Sequence, residues 1–204
     1  MVHMQTRRAS PGQARPAQPP LEHHLFFAVL PDAAVRGAAT DMARSLIARY
    51  ALNGQVRTER LHATLLSLGW EATLSERQLA WARGAAARVR VTPFELRFDH
   101  VLSFARAPRA KRPCVLCAPG AAQAGFVRLY EALHAALWPE VPAQQIPPIT
   151  PHMTLCYSRQ AVLQQAVAPL AWAVDRFVLL HNRRGSGGPY ELLGEWPLTA
   201  GISQ

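Results

Sequence analysis

Two short stretches of this 204-residue chain share one pattern. Leu61-His62-Ala63-Thr64-Leu65 and Pro151-His152-Met153-Thr154-Leu155 both contain His-x-Thr-Leu. Side chains alternate along a β-strand, so each histidine shares a face with the threonine two residues on, while Ala63, Leu65, Met153 and Leu155 take the opposite, core face. An imidazole titrates near pH ~6.5, so two of them can supply a base and an acid at nearly one pH. Four polar side chains on otherwise apolar strands would cost ~1–3 kcal/mol each if buried unpaired, and a polar cleft between two strands removes that cost. The guest that suits two imidazoles and two hydroxyls is a tetrahedral phosphoryl group. A lone histidine on a strand is ordinarily a satisfied surface or core residue, and His23, His24, His100, His134 and His181 read that way. A metal centre is the rival for His62 and His152, but two histidines and two neutral hydroxyls lack the third histidine or carboxylate that catalytic zinc uses. Cys114 and Cys117 form a C-x-x-C inside a β-like run, where positions i and i+3 point to opposite faces and cannot share an ion. All three cysteines, Cys156 included, read as buried small apolar residues, and no metal or cofactor is expected.

The pattern of elements around the motifs says how they are carried. Residues 24–30 read as a buried strand, and Asp32 is a plausible N-cap for a helix whose stripe is Val35, Ala39, Met42, Leu46 and Tyr50. A basic link, residues 53–60, leads to a strand at 61–69. Ser75 with Gln78 reads as a capping box for a helix to about residue 89. Strands follow at 94–102 and 112–119, then a helix at about 121–137 with Phe126, Leu129, Leu133 and Leu137 on one side. A loop carrying Pro139, Pro142, Pro147, Pro148 and Pro151 forbids regular helix before the strand at 152–157. A short helix at about 161–167 and two closing strands, near 176–181 and 190–196, complete the reading, with Gly185-Ser186-Gly187-Gly188 as a hairpin loop. Adjacent strands with few crossovers argue α+β rather than a doubly wound sheet. A strand–helix segment before each motif implies a duplicated, bilobal fold, two antiparallel sheets facing across a central cleft with helices outside. Residues 1–22 read as a flexible basic leader and 23–204 as a single domain.

Composition bounds the partners. Lys and Arg number 22 against 13 Asp and Glu, a net charge of +9. That balance favours polyanions, phosphate esters and nucleic acid first among them. Only Lys111 is a lysine; the arginine fork suits phosphate, though a codon-level bias explains the composition equally well. Half the residues are apolar, which excludes a wholly disordered chain. No apolar run is long enough to span a bilayer, and no apolar stretch follows the Arg7-Arg8 pair, so export is not indicated. Three cysteines fit a reducing cytoplasm, where a monomer is expected.

With those residues assembled, the chain resembles the two-histidine phosphoesterase superfamily. Within it, the chain most resembles the bacterial RNA 2′,3′-cyclic phosphodiesterases, also called the 2′-5′ RNA ligase family. Besides both His-x-Thr-Leu motifs, the likeness includes Leu25-Phe26-Phe27-Ala28 before Pro31, Leu68-Gly69 after the first motif, and Tyr190-Glu191-Leu192-Leu193 with Trp196-Pro197-Leu198 near the end. The resemblance implies a bilobal fold and metal-independent hydrolysis of a 2′,3′-cyclic phosphate to a 2′-phosphomonoester. In some members it implies the joining of RNA ends through a 2′-5′ bond at the same site. RNA ends or nucleotides bearing such a phosphate are then the partners, with no membrane. Ala63 stands where a bulky apolar residue is common, Ser67 where an aromatic is common, and Tyr157 where an arginine often stands.

On this reading His152 accepts the proton of water, His62 donates one to the 3′ oxygen, and Thr64 and Thr154 donate hydrogen bonds to the phosphoryl oxygens. Phe27 and Tyr157 are candidates for stacking on a base. Phe27 reads equally well as core, and Tyr157 falls on the wrong face by strict alternation. Arg57, Arg60 and Arg159 flank the motifs as a rim, with surface solvation their plain reading. Two other activities stay open, a 2′-5′ ligase and a phosphodiesterase of another small cyclic phosphate. A catalytically silent RNA-binding protein is the third alternative.

Overall fold

The computed structural model describes residue 20 and residues 22–105, 110–117 and 123–199. The expected leader, residues 1–22, lies outside them apart from Pro20 and Glu22, as do residues 118–122, which hold the end of the strand expected at 112–119 and the start of the helix expected from about 121. Local chemistry starts the helices much as the spacing predicts. Asp32 accepts from the Val35 amide at 2.8 Å and caps α1 (Ala33–Arg49), which buries Val35, Ala39, Ala43 and Leu46. Ser75 stands at the N-cap of α2 (Glu76–Ala86), but its side chain makes no capping bond, so the expected capping box does not form. Helix α3 (Ala124–Leu137) buries Phe126, Leu129, Leu133 and Leu137, the predicted stripe.

The strands are β1 (His23–Val29), β2 (Ala63–Glu71), β3 (Phe94–Ser103), β4 (Arg112–Cys117), β5 (His152–Ser158), β6 (Gln165–Val174), β7 (Arg176–Arg183) and β8 (Glu191–Pro197). Their order across the sheet is β6-β3-β4-β5-β2-β1-β7-β8, antiparallel throughout. The result is α+β, with a sheet that repeats itself: β2 and β5 lie centrally, β1 and β4 flank them, then β7 and β3, then β8 and β6 at the edges. Instead of two separate sheets there is one ladder, continuous through a single central pair, Ala63 with Met153.

Residues 161–167 form no helix. Their second part enters β6, where Leu170, Trp172 and Val174 alternate inward against β3. Pro169 is tolerated because β6 is an edge strand whose outer side needs no ladder donor. Pairing with β3 overrides the weak local preference of so short a segment.

Helix α1 packs on β5 and β6, α3 packs on both β2 and β3, and α2 packs on α3. One apolar core joins these helices to both halves of the sheet, from Phe27 and Phe177 through Leu65 and Met153 to Phe98 and Trp172. A smaller cluster of Phe26, Ala28, Val178 and Leu180, with Tyr190 packed on it, lies on the other face of β1 and β7. Among the described residues no helix is long and apolar enough to cross a membrane.

Candidate active site

Each motif histidine arrives by the same device. A short 3-10 turn, Thr58–Arg60, precedes His62, and the proline-rich loop precedes His152. In both cases the ring turns back on the incoming chain. His62 donates from Nδ1 to the Arg60 carbonyl at 2.7 Å, and His152 donates from Nδ1 to the Thr150 carbonyl at 2.8 Å. A carbonyl can only accept, so Nδ1 carries the hydrogen and the neutral ring presents Nε2 as a free lone pair.

The central pair Ala63 with Met153 sets the remaining geometry. One step back along β2 and one step forward along β5 put His62 beside Thr154, and the mirrored step puts Thr64 beside His152, all four on one face. Burial alternates identically in the two copies. Leu61, Ala63 and Leu65 are buried around half-buried His62 and Thr64, as Pro151, Met153 and Leu155 are around His152 and Thr154.

The duplication extends to a β-bulge in each copy. Phe27 and Ala28 pair with Leu66 and Thr64, leaving Leu65 unmatched, and Cys114 and Val115 pair with Cys156 and Thr154, leaving Leu155 unmatched. An extra residue shifts the alternation by one. Leu66 and Cys156 therefore turn inward, while Ser67 and Tyr157 emerge on the histidine face. The bulge explains how Tyr157, on the wrong face by strict alternation, comes to line one pocket with His62, Thr154, Arg57, Arg60 and Tyr190. His152 and Thr64 stand across the central pair from that pocket, outside its lining, with the Phe104 ring 4.9 Å from His152.

Phe27, offered above as a base-stacking residue, is fully buried against Phe177 and Trp196 and cannot reach a ligand. Its neighbour Phe26 lies on the histidine face, 5.2 Å from the His62 ring, and is itself buried, so it backs that ring from beneath and does not line the pocket. Tyr190 meets His62 edge-on at 5.3 Å and Phe26 edge-on at 5.1 Å. Arg60, read as a rim residue, is buried. Its guanidinium lies over the Tyr190 ring at 4.6 Å and donates to the Gly188 carbonyl at 2.6 Å and to Ser186, which ties the β7–β8 loop against the site. Arg159 is exposed. Sequence reasoning overlooked Phe26 and Tyr190 as site residues. The signal present was the run Leu25-Phe26-Phe27-Ala28, in which one of two adjacent aromatics must face away from the core.

Burial in this aromatic cup pushes His62 down to about 4, opposed by its bond to the Arg60 carbonyl and assisted by the His152 ring and by His24. The free imidazole is therefore neutral at neutral pH, and the two motif rings lie within electrostatic reach of each other. His24 stacks between Phe26 and Trp70 and shares a 2.8 Å hydrogen bond with Ser67; desolvation lowers it as well. Cys114 packs in the core opposite Cys156, whereas Cys117 pairs with His152, so the C-x-x-C does point both ways. Among the described residues no three His, Cys, Asp or Glu side chains gather where one metal ion could sit.

Residues 31–186 match the sequence profile of the 2′-5′ RNA ligase superfamily. Among curated proteins no sequence match is found. In three dimensions the chain is similar to TT0787 of Thermus thermophilus, with a TM-score of 0.68, 26% identity, and coverage of 87% of this chain and 98% of that one. It is equally similar to E. coli LigT complexed with 3′-AMP, with a TM-score of 0.68, 25% identity, and coverage of 87% and 99%. A crystal structure described as a phosphoesterase superposes with a TM-score of 0.67 at 26% identity, covering 87% and 99%. The profile spans well over half of the sequence and takes in both His-x-Thr-Leu strands: the chain belongs to the 2′-5′ RNA ligase superfamily.

Proposed function

We propose that this chain hydrolyses the 2′,3′-cyclic phosphate of an RNA end or nucleotide to a 2′-phosphomonoester, by metal-independent acid–base chemistry between His62 and His152. The observation that carries the reading is the matched pair of imidazoles, each fixed through Nδ1 to the carbonyl two residues earlier and each beside a motif threonine of the other strand. In the proposed step a water oxygen attacks phosphorus while the P–O3′ bond breaks. His152 Nε2 takes the proton of the water, and His62, protonated on Nε2, gives its proton to O3′. Thr64 and Thr154 donate to the non-bridging oxygens, at ~1.5–3 kcal/mol per bond to a charged group. Such bonds accelerate the step in so far as they strengthen while charge develops.

For His62 to act as donor, a ring held near 4 must gain a proton when substrate binds. A unit negative charge ~4 Å away contributes about 4 kcal/mol at an effective dielectric of ~20. At ~1.36 kcal/mol per pH unit that is roughly 3 units, enough to return the ring to the ordinary imidazole range. The substrate thus loads its own acid, and an empty site holds His62 neutral. With a 5′-hydroxyl in place of water, the same groups in the same roles would run the 2′-5′ joining reaction. That LigT, a relative, was crystallised with 3′-AMP supports a nucleotide as ligand. Three buried free thiols favour a reducing compartment, and we place the chain in the cytoplasm as a monomer acting through one unit, residues 23–204.

The test is to give the purified protein an RNA with a 2′,3′-cyclic phosphate end and follow the product by phosphorus NMR. A 2′-phosphomonoester is expected. A 3′-phosphate would reverse the leaving group and sink the assignment of His62, and binding without turnover would leave an RNA-binding protein.

A further inference from the structure

Arg60 reaches two parts of the molecule that lie far apart in the chain. Through its backbone, the carbonyl accepts the Nδ1 hydrogen of His62 at 2.7 Å and so decides which ring nitrogen is left free. Through its side chain, Arg60 grips the end of β7 and the loop before β8. Nε donates to the Gly188 carbonyl at 2.6 Å, Nη2 to the carbonyl and the hydroxyl of Ser186, and Nη1 to Asn182 Oδ1 at 3.3 Å. Among the described residues, the hydrogen bonds of residues 185–189 either close the loop's own turn, from Ser186 to the Arg183 carbonyl, or go to Arg60. The loop has little stiffness of its own, for Gly185 stands at a φ of 80° and Gly187 and Gly188 follow directly.

Arg60 is only 8% exposed, and among the described residues no carboxylate pairs with it. A buried cation is costly unless polar groups surround it, and here every acceptor belongs to β7 or to the loop it leads into. The guanidinium also lies over the Tyr190 ring, whose edge meets the His62 ring at 5.3 Å. Arg60, Tyr190 and His62 line one pocket. We propose that Arg60 is a positioning residue for His62: its side chain fastens the β7–β8 loop against the acid, while its carbonyl holds the acid with Nε2 free to take up and pass on the proton. This rests on the reading above of His62 as proton donor. Loop and ring are then coupled through one residue. Releasing the fork frees the Arg60 peptide to turn, loosens the Nδ1 bond and lets water reach the ring. Desolvation is the chief influence holding His62 near 4, and the Arg60 charge adds to it, so release of the loop moves the ring's titration upward although the lost carbonyl bond acts the other way.

The first experiment needs no substrate. Ring-nitrogen NMR of the full chain, with isotope-labelled histidine, reads the His62 tautomer and its titration. Wild type should show the Nδ1–H form and a titration near 4. Arg60→Gln should populate both tautomers and raise the titration by roughly one pH unit or more. Asn182→Ala combined with Ser186→Ala loosens the clamp from the loop side, keeps Arg60, and should move both readouts the same way by less. Circular dichroism checks that each variant is folded, and where Arg60→Gln is not, the double variant decides alone. A tautomer and titration that stay as in wild type would overturn the proposal. Kinetics on adenosine 2′,3′-cyclic phosphate then separate position from charge. Arg60→Lys keeps the charge and loses the fork, so kcat should fall roughly ten- to a hundredfold, the scale of a small misplacement, with KM near wild type. Full kcat in Arg60→Lys would mean that charge alone matters, which sinks the positioning role. A ring that shifts in the variants of a protein without turnover would remove the hydrolase reading and leave the coupling of loop and ring standing; turnover with an unmoved ring would do the reverse.

Discussion

The two histidines share a tautomer and a register, but their surroundings differ, and the difference has measurable consequences. Either His62→Ala or His152→Ala should lower kcat on adenosine 2′,3′-cyclic phosphate by roughly 10²–10⁴, the span of general acid–base groups. The wild-type rate should be the same with and without EDTA. Thr154→Val removes a hydroxyl beside His62 and should cost roughly ten- to a hundredfold in kcat/KM, from ~1.5–3 kcal/mol at ~1.36 kcal/mol per decade. The burial of His62 also sets a pH dependence of stability. Its ring titrates near 4 when folded and near its ordinary value of 6.5 when unfolded, so between those pH values the unfolded chain holds more protons. The contribution is complete above 6.5, falls as pH drops, and reaches its full loss of up to about 3 kcal/mol below 4. Urea midpoints between pH 7 and 4 measure it, and His62→Gln should flatten the curve over that window. The motif residues and their chemistry were legible because type and spacing alone imply them. The cup of Phe26 and Tyr190 was not, because which of two adjacent aromatics faces the core depends on parity that only strand pairing settles.

The same lesson holds at the level of elements, where the irregularities decide function. Strict alternation sends Tyr157 away from the histidines, and the extra residue Leu155 brings it back. A bulge leaves no compositional mark in Leu65-Leu66 or Leu155-Cys156, so a period-two reading passes over it. The short helix expected at about 161–167 fails for a related reason: seven residues carry little local preference, and hydrogen bonding along the edge of β3 makes a strand from Gln165 on. Asp32, by contrast, was legible because an N-cap needs only its own local chain. The link 53–57 joins these cases, since its place against β5 depends on Gly54 having no side chain. Gly54→Ala should drive a methyl into the Tyr157 carbonyl, destabilising the fold by ~1–3 kcal/mol, typical of overpacking. The urea midpoint reads that loss. A midpoint equal to wild type would mean that the link does not press against the Tyr157 carbonyl.

For the whole molecule, duplication was legible as an echo of motifs, yet the echo does not say whether the halves are independent. The sheet suggests they could be, since one residue pair, Ala63 with Met153, joins them. Packing argues the other way. Helix α3 lies across β2 of one half and β3 of the other, and a single apolar core contains Phe27 and Phe177 together with Phe98 and Trp172. A catalytic step shared between His62 and His152 requires that second arrangement, for two histidines on separately breathing lobes would lose the ~3 Å registration a proton transfer needs. Backbone hydrogen bonding at the centre is thus minimal while side-chain burial is extensive, and burial is the larger contribution to cohesion, at ~25 cal/mol per Å² of apolar surface. The protein should therefore unfold as one unit. Urea curves followed by circular dichroism and by tryptophan fluorescence should coincide, as two-state behaviour requires. Native-state hydrogen exchange gives the sharper comparison: the slowest amides of β1 and of β4, flanking strands of opposite halves, should share an opening free energy within ~1 kcal/mol. A gap of several kcal/mol between them would show that one half opens alone, and a site built across the central pair would then be assembled only part of the time.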